Sequence, residues 1–128
     1  MEVSSADKYE EAFKKAIKAG STGLAVTQQT RSNRKQITDL ATKNRLPAIY
    51  PGAAFVDSGG LMSYGPDEIE PYKRAASMVD KILKGAKPAD LAVEQPTKFA
   101  LQINLKTANT LGLTIPPVVM MRAEKVIK

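Results

Sequence analysis

The chain contains no cysteine and no histidine. Without cysteine there is no disulfide framework, no thiol nucleophile and no thiolate metal site. Without histidine the usual general base near neutral pH and the commonest metal ligand are both missing. Tryptophan is absent as well, and three Phe and four Tyr are all the aromatics there are. None of them interleaves with the one basic cluster, Arg31 to Lys35, as a stacking platform for nucleic acid requires. No apolar run approaches the roughly 20 residues that cross a bilayer. The opening Met1-Glu2-Val3-Ser4-Ser5 is polar and soon charged, unlike a signal peptide. Carboxylates, lysines, tyrosines and hydroxyls are what remain for any chemistry.

At 128 residues the chain suits one domain with a real core. Lys and Arg number 19 against 13 Asp and Glu, a net charge of +6. That balance permits an anionic partner. The lysines, however, are spread over polar helix faces, so no nucleic-acid partner is expected.

Hydrophobic spacing gives the elements in order. Ser4 or Ser5 caps a helix whose inner face is Tyr9, Ala12, Phe13, Ala16 and Ile17, with Gly20 as its stop. Glu2-Val3 reads at most as the tail of a strand. Leu24-Ala25-Val26 reads as a short buried parallel strand. Ser32 or Asn33 caps a second helix with Ile37, Leu40 and Ala41 inward, and Pro47 to Pro51 is a second short strand. The stretch Phe55 to Gly65 holds too much Gly and Ser for a helix and is too interrupted for one strand. Gly59-Gly60 permits positive φ and close backbone approach, so the stretch reads as the rim of a binding cleft or as a structural turn with a bulge. The clearest helix follows, with Pro71 in its first turn and a stripe of Tyr72, Ala75, Ala76, Val79, Ile82 and Leu83. Ala86 to Pro96 is a linker. Phe99, Leu101, Ile103 and Leu105 alternate with polar or small residues as a half-buried strand. A short helical piece to Gly112 and an amphipathic helix after Pro116-Pro117 complete the chain. Strands alternating with helices predict an α/β fold with a mostly parallel sheet.

No catalytic motif stands. Ser32-Asn33-Arg34-Lys35 matches Ser-x-x-Lys, but its partner motifs are missing and a helix cap explains Ser32 better. There is no phosphate-cradling glycine motif, so no cofactor is expected. Met120-Met121 reads as core filler rather than a soft-metal site. An enzyme is not expected.

Several segments are more specific when taken together. They are Leu46-Pro47-Ala48-Ile49-Tyr50, Phe55 to Asp67, Lys81 to Leu91 and Ile103 to Ala108, followed by Leu111 to Pro116 and Arg122 to Ile127. In this order they resemble the C-terminal part of a family of bacterial ABC-transporter substrate-binding proteins that includes aromatic-amino-acid binders. The resemblance covers nearly the whole chain. It departs at Gly52-Ala53-Ala54, which is blander than usual, and at Ala92, where a Pro is usual.

The resemblance implies a Rossmann-like lobe of a type I periplasmic binding protein. In such proteins two lobes close on a small solute, possible amino acids included, and the closed form docks on a membrane permease. The resemblance also implies a secretion signal, a first lobe, and the opening strand and helix of the second lobe, the strand in the middle of its sheet, none of which this stretch contains. Residues 1–128 are therefore expected to be the second lobe, a fragment with its crossover or hinge near 57–67 and its helix 71–84 packed on the absent lobe. The parent would be periplasmic or lipid-anchored, and the fragment by itself cytoplasmic. Left without a cover, that helix is expected to drive homodimerisation. The competing expectation is a small α/β interaction or regulatory domain with no transport role.

In open α/β sheets ligands sit beyond the carboxyl ends of strands. Thr27 and Gln28 offer hydrogen bonds at one such end, and Tyr50 and Tyr64 offer flat walls with a polar tip. Gly59 and Gly60 would expose N–H groups to a carboxylate, as a third wall. Asp57 or Asp67 would face an ammonium group, against the alternative of solvent-facing loop acids.

Overall fold

The computed structural model describes residues 8–27, 32–67, 69–93 and 95–128. The N-terminal caps, Glu2-Val3 and Gln28 lie outside them. The first helix, α1 (Tyr9–Lys18), buries Tyr9, Ala12 and Phe13 and passes into a turn where Gly20 takes a φ of 75°. Glu11 and Lys15, four apart with the acid first, pair at 2.7 Å on its outside. Strand β1 (Leu24–Ala25) follows, then α2 (Arg34–Lys43), which buries Ile37, Leu40 and Ala41. Strand β2 (Ala48–Tyr50) leads into a short helix, α3 (Ala53–Asp57), and then β3 (Met62–Pro66). The long helix α4 (Glu70–Leu83) comes next, and a 3-10 turn at Pro88–Asp90 interrupts the linker after it. Strand β4 (Phe99–Asn104), α5 (Leu105–Leu111), α6 (Pro117–Met120) and β5 (Lys125–Ile127) finish the chain.

Among the described residues, five strands form one sheet in the order β1-β2-β3-β4-β5. Every neighbouring pair is parallel except β3 with β4. The α/β class and the mostly parallel sheet are therefore present. The main core lies on one face, where Ala48, Tyr50 and Phe55 pack with Tyr9, Phe13, Ile37 and Leu40.

Four elements differ from the sequence reading. Leu24-Ala25 is an edge strand and only half-buried, since β2 covers one side alone. The Phe55–Gly65 stretch holds the end of a helix and then a central strand. Gly59, at φ 102°, turns the chain between them. Strand β3 tolerates glycine at 65 because a Cβ there would land on the Pro51 carbonyl. The alternating strand stops at Asn104, whose side-chain oxygen accepts from the Thr107 N–H at 3.2 Å and caps α5. Leu105 thereby joins a helix. The last helix shrinks to one turn, and Val126 and Ile127 instead pair with β4.

Candidate functional site

Three parallel strands end on the same edge of the sheet, at Val26-Thr27, Pro51-Gly52 and Pro66-Asp67. A cleft of about 290 Å³ opens there. Its wall is set by register: Tyr50 pairs with Ser63 and Ser63 with Gln102, so all three share the core face of the sheet. Tyr50 is covered by α3, whereas Ser63 and Gln102 line the cleft, with Gly52, Gly65 and Glu124 around them. The Gln102 oxygen Oε1 is buried and has no hydrogen-bond partner. An unsatisfied buried group of this kind costs about 1–3 kcal/mol. Asp67 stands on the rim. Its Oδ1 accepts from the Ile69 N–H at 2.8 Å and the Glu70 N–H at 3.4 Å. The bond from Ile69 is the main reason its carboxyl sits below the usual carboxylate range, with Glu70 adding to it.

Of the described residues expected at a binding site, Asp67 alone lines this cleft. Thr27 is exposed at the end of β1, away from the lining. Tyr50 is 2% exposed and stacks on Phe55 with centroids 5.0 Å apart, so its ring is core rather than wall. Burial pushes its hydroxyl well above the ordinary tyrosine range. Asp57 pairs with Lys125 at 3.1 Å. Gly59 and Gly60 precede β3 and so lie at the opposite edge of the sheet from the strand ends. They are not a third wall there. The Gly59 carbonyl accepts from the Thr107 hydroxyl at 2.9 Å, and Gly60 is buried beneath the Tyr50 ring. Tyr64 is 56% exposed, but it points to the other face of the sheet, stacked on Phe99 at 5.6 Å. Ser63, Gln102 and Glu124 were not picked out by sequence. Recognising 62–66 as a strand would have placed Ser63 opposite Gln102.

The other depressions differ in kind. A space of about 150 Å³ lies between α4 and the linker, where Arg74 donates to the Thr97 hydroxyl at 3.2 Å. A wide groove over α1 and α2 is lined by charged side chains, among them Lys35 and Asp39, which pair at 3.0 Å.

Helix α4 stands apart from this core. It buries none of its residues, and Tyr72 and Leu83 are 78% and 82% exposed. Among the described residues no helix is long and apolar enough to cross a membrane.

Residues 2–127 match the family model described as ABC transporter substrate binding protein. The chain belongs to that family. The solved structures that share its fold include these three. One is an ABC domain from Streptococcus pneumonia in complex with L-Trp, 27% identical, with a TM-score of 0.82 over 98% of this chain. A conserved domain protein from Vibrio cholerae gives 24% identity and a TM-score of 0.79 over 94% of the chain. A ligand-free, open substrate binding protein with adhesive properties from Clostridium difficile gives 17% and 0.69 over 98%. The chain spans 44%, 41% and 42% of those three proteins respectively. No curated protein matches it.

Proposed function

We propose that this chain is one lobe of the solute-binding component of an ABC importer. Its solute is a small molecule of the amino-acid kind, held in the cleft at the carboxyl edge of the sheet. The observation that carries this reading is the cleft itself. It has nearly the volume of a small-ligand site, it sits where open α/β sheets bind ligands, and it keeps a buried polar atom without a partner. Family membership and the L-Trp complex of a 27% identical relative support the choice of solute class. In this reading a second lobe closes the cleft from the other side and covers the apolar stripe of α4. The β3–β4 pair is then the crossover between lobes. The closed form docks on a membrane permease outside the cytoplasm. The test is thermal shift of the protein at the full length its gene encodes, against the amino acids and small organic ions. A ligand at a hundred times its Kd stabilises by about 2.7 kcal/mol, which moves the melting point measurably. No shift with any compound would overturn the reading.

A further inference from the structure

The sheet has a second face. Register places Ile49 beside Met62, Tyr64 beside Leu101 and Pro66 beside Phe99, so these side chains lie together opposite the core. None of them carries a charge, and Ile49, Tyr64 and Phe99 are 39%, 56% and 46% exposed. Among the described residues, α1, α2 and α3 all pack on the core face. A mostly parallel sheet is ordinarily covered by helices on both faces. Helix α4 has the complementary surplus. Tyr72, Val79, Ile82 and Leu83 form a bare stripe, with the small Ala75 and Ala76 at its middle. In its own chain the stripe does not reach the sheet face. The Asp67 cap and the Arg74–Thr97 bond hold the first turn at the strand ends, and α4 buries none of its residues. The dimensions match. From Tyr72 to Leu83 the stripe runs about 16 Å at 1.5 Å per residue. The patch runs roughly 13 Å along β3 and crosses three strands spaced about 4.8 Å apart.

We propose that a second copy of this chain is the partner of this face: the α4 of each copy lies on the open sheet face of the other, in a two-fold dimer. Each copy then gives both a stripe and a face, as an isologous interface requires. Weighted by their exposure, the large apolar side chains of the two surfaces offer on the order of 600 Å² per copy. Two copies together bury about 1,200 Å² of apolar surface, the lower limit for a specific interface before any polar rim is counted. The inference goes beyond the reading above, which seats α4 on a second lobe and leaves the sheet face bare. A second lobe and a second copy compete for the one stripe, so this pairing belongs to the 128-residue chain.

The test is the oligomeric state of the 128-residue chain, read by light scattering and sedimentation at micromolar concentrations. A discrete dimer is expected, and a monomer throughout would overturn the proposal. Leu83→Glu on the stripe and Tyr64→Lys on the sheet face should each weaken association by about tenfold or more, as loss of a central contact does. Both side chains are exposed, so circular dichroism should show both variants folded as the wild type is. Ile49→Lys, on the neighbouring strand, should act as Tyr64→Lys does. Mixing carries the decisive result. With either variant alone, both helix-on-sheet contacts of the dimer are damaged. In a mixed pair one contact is wholly wild type, and the other sets the introduced carboxylate against the introduced ammonium. Mixing the two variants should therefore restore a dimer. Helix packing on helix would leave Tyr64→Lys as dimeric as the wild type, and sheet packing on sheet would spare Leu83→Glu. Either result, or no recovery on mixing, would overturn the proposal. All of these outcomes leave solute binding standing, since that is read on the protein at the full length its gene encodes.

Discussion

A Cβ built on Gly60 would lie 2.7 Å from Cε2 of the Tyr50 ring and 2.9 Å from the Phe55 carbonyl oxygen. The first could yield by a ring movement, but the second is backbone and Tyr50 is itself fixed against Phe55. Gly60→Ala is therefore expected to destabilise the fold by about 1–3 kcal/mol, the usual cost of overpacking. Urea unfolding would register it as a lower midpoint at unchanged slope, and an unchanged midpoint would contradict the packing described. At this scale the sequence was half legible. The two glycines mark a turn that needs positive φ and close approach, and Gly59 and Gly60 supply one each. What they approach was not legible. Tyr50 reads as a wall of a cleft because tyrosine often is one. Its burial depends on Phe55 folding back from α3, a contact that no local pattern announces. Gln102 was hidden in a similar way. It fell on the polar side of an alternating strand, and that side turns out to face the cleft.

Among the elements, α1, α2 and α4 were clear from their 3.6-residue spacing, because a helix carries its pattern over several turns. Strand β3 was not. Central strands are recognised by β-branched and aromatic runs, and Met62-Ser63-Tyr64-Gly65-Pro66 has neither run nor clean alternation. It is held instead by neighbours on both sides and by the tight passage of Pro51 over Gly65. At the far end of β3, Asp67 starts α4 by accepting the N–H groups of Ile69 and Glu70. The Ile69 N–H holds its carboxyl below the usual carboxylate range in the fold. A lowered carboxyl stabilises the folded form above its unfolded pKa and loses that effect as pH falls through the folded value. The first turn of α4 should thus loosen as pH falls below the ordinary carboxylate range. Amide hydrogen exchange of the residues after Asp67 is the measurement, corrected for the intrinsic pH dependence of exchange. In Asp67→Asn, which keeps the acceptor and removes the charge, the extra acid loosening should disappear. If it persists, another group is responsible.

The whole molecule is unevenly covered. Tyr72, Val79, Ile82 and Leu83 lie on α4 at 78%, 55%, 39% and 82% exposure, a stripe as apolar as the buried faces of α1 and α2. Apolar area is worth about 25 cal/mol per Å² when buried, so a surface of this kind favours association. If the stripe is the seat of a second lobe, the 128-residue chain by itself should self-associate at micromolar concentration. Tyr72→Lys combined with Leu83→Glu should then return it toward a monomer. Light scattering decides, and a monodisperse, cooperatively melting wild-type monomer would show that the stripe needs no cover. The strand order carries a different consequence. In the sheet the strands stand in the order in which the chain is made. As the polypeptide leaves the ribosome, each strand after the first meets a neighbour already synthesised, and none must wait for a later one to complete its first pairing. Each described strand after β1 can therefore pair, as it emerges, with one made before it, in the order β1 to β5.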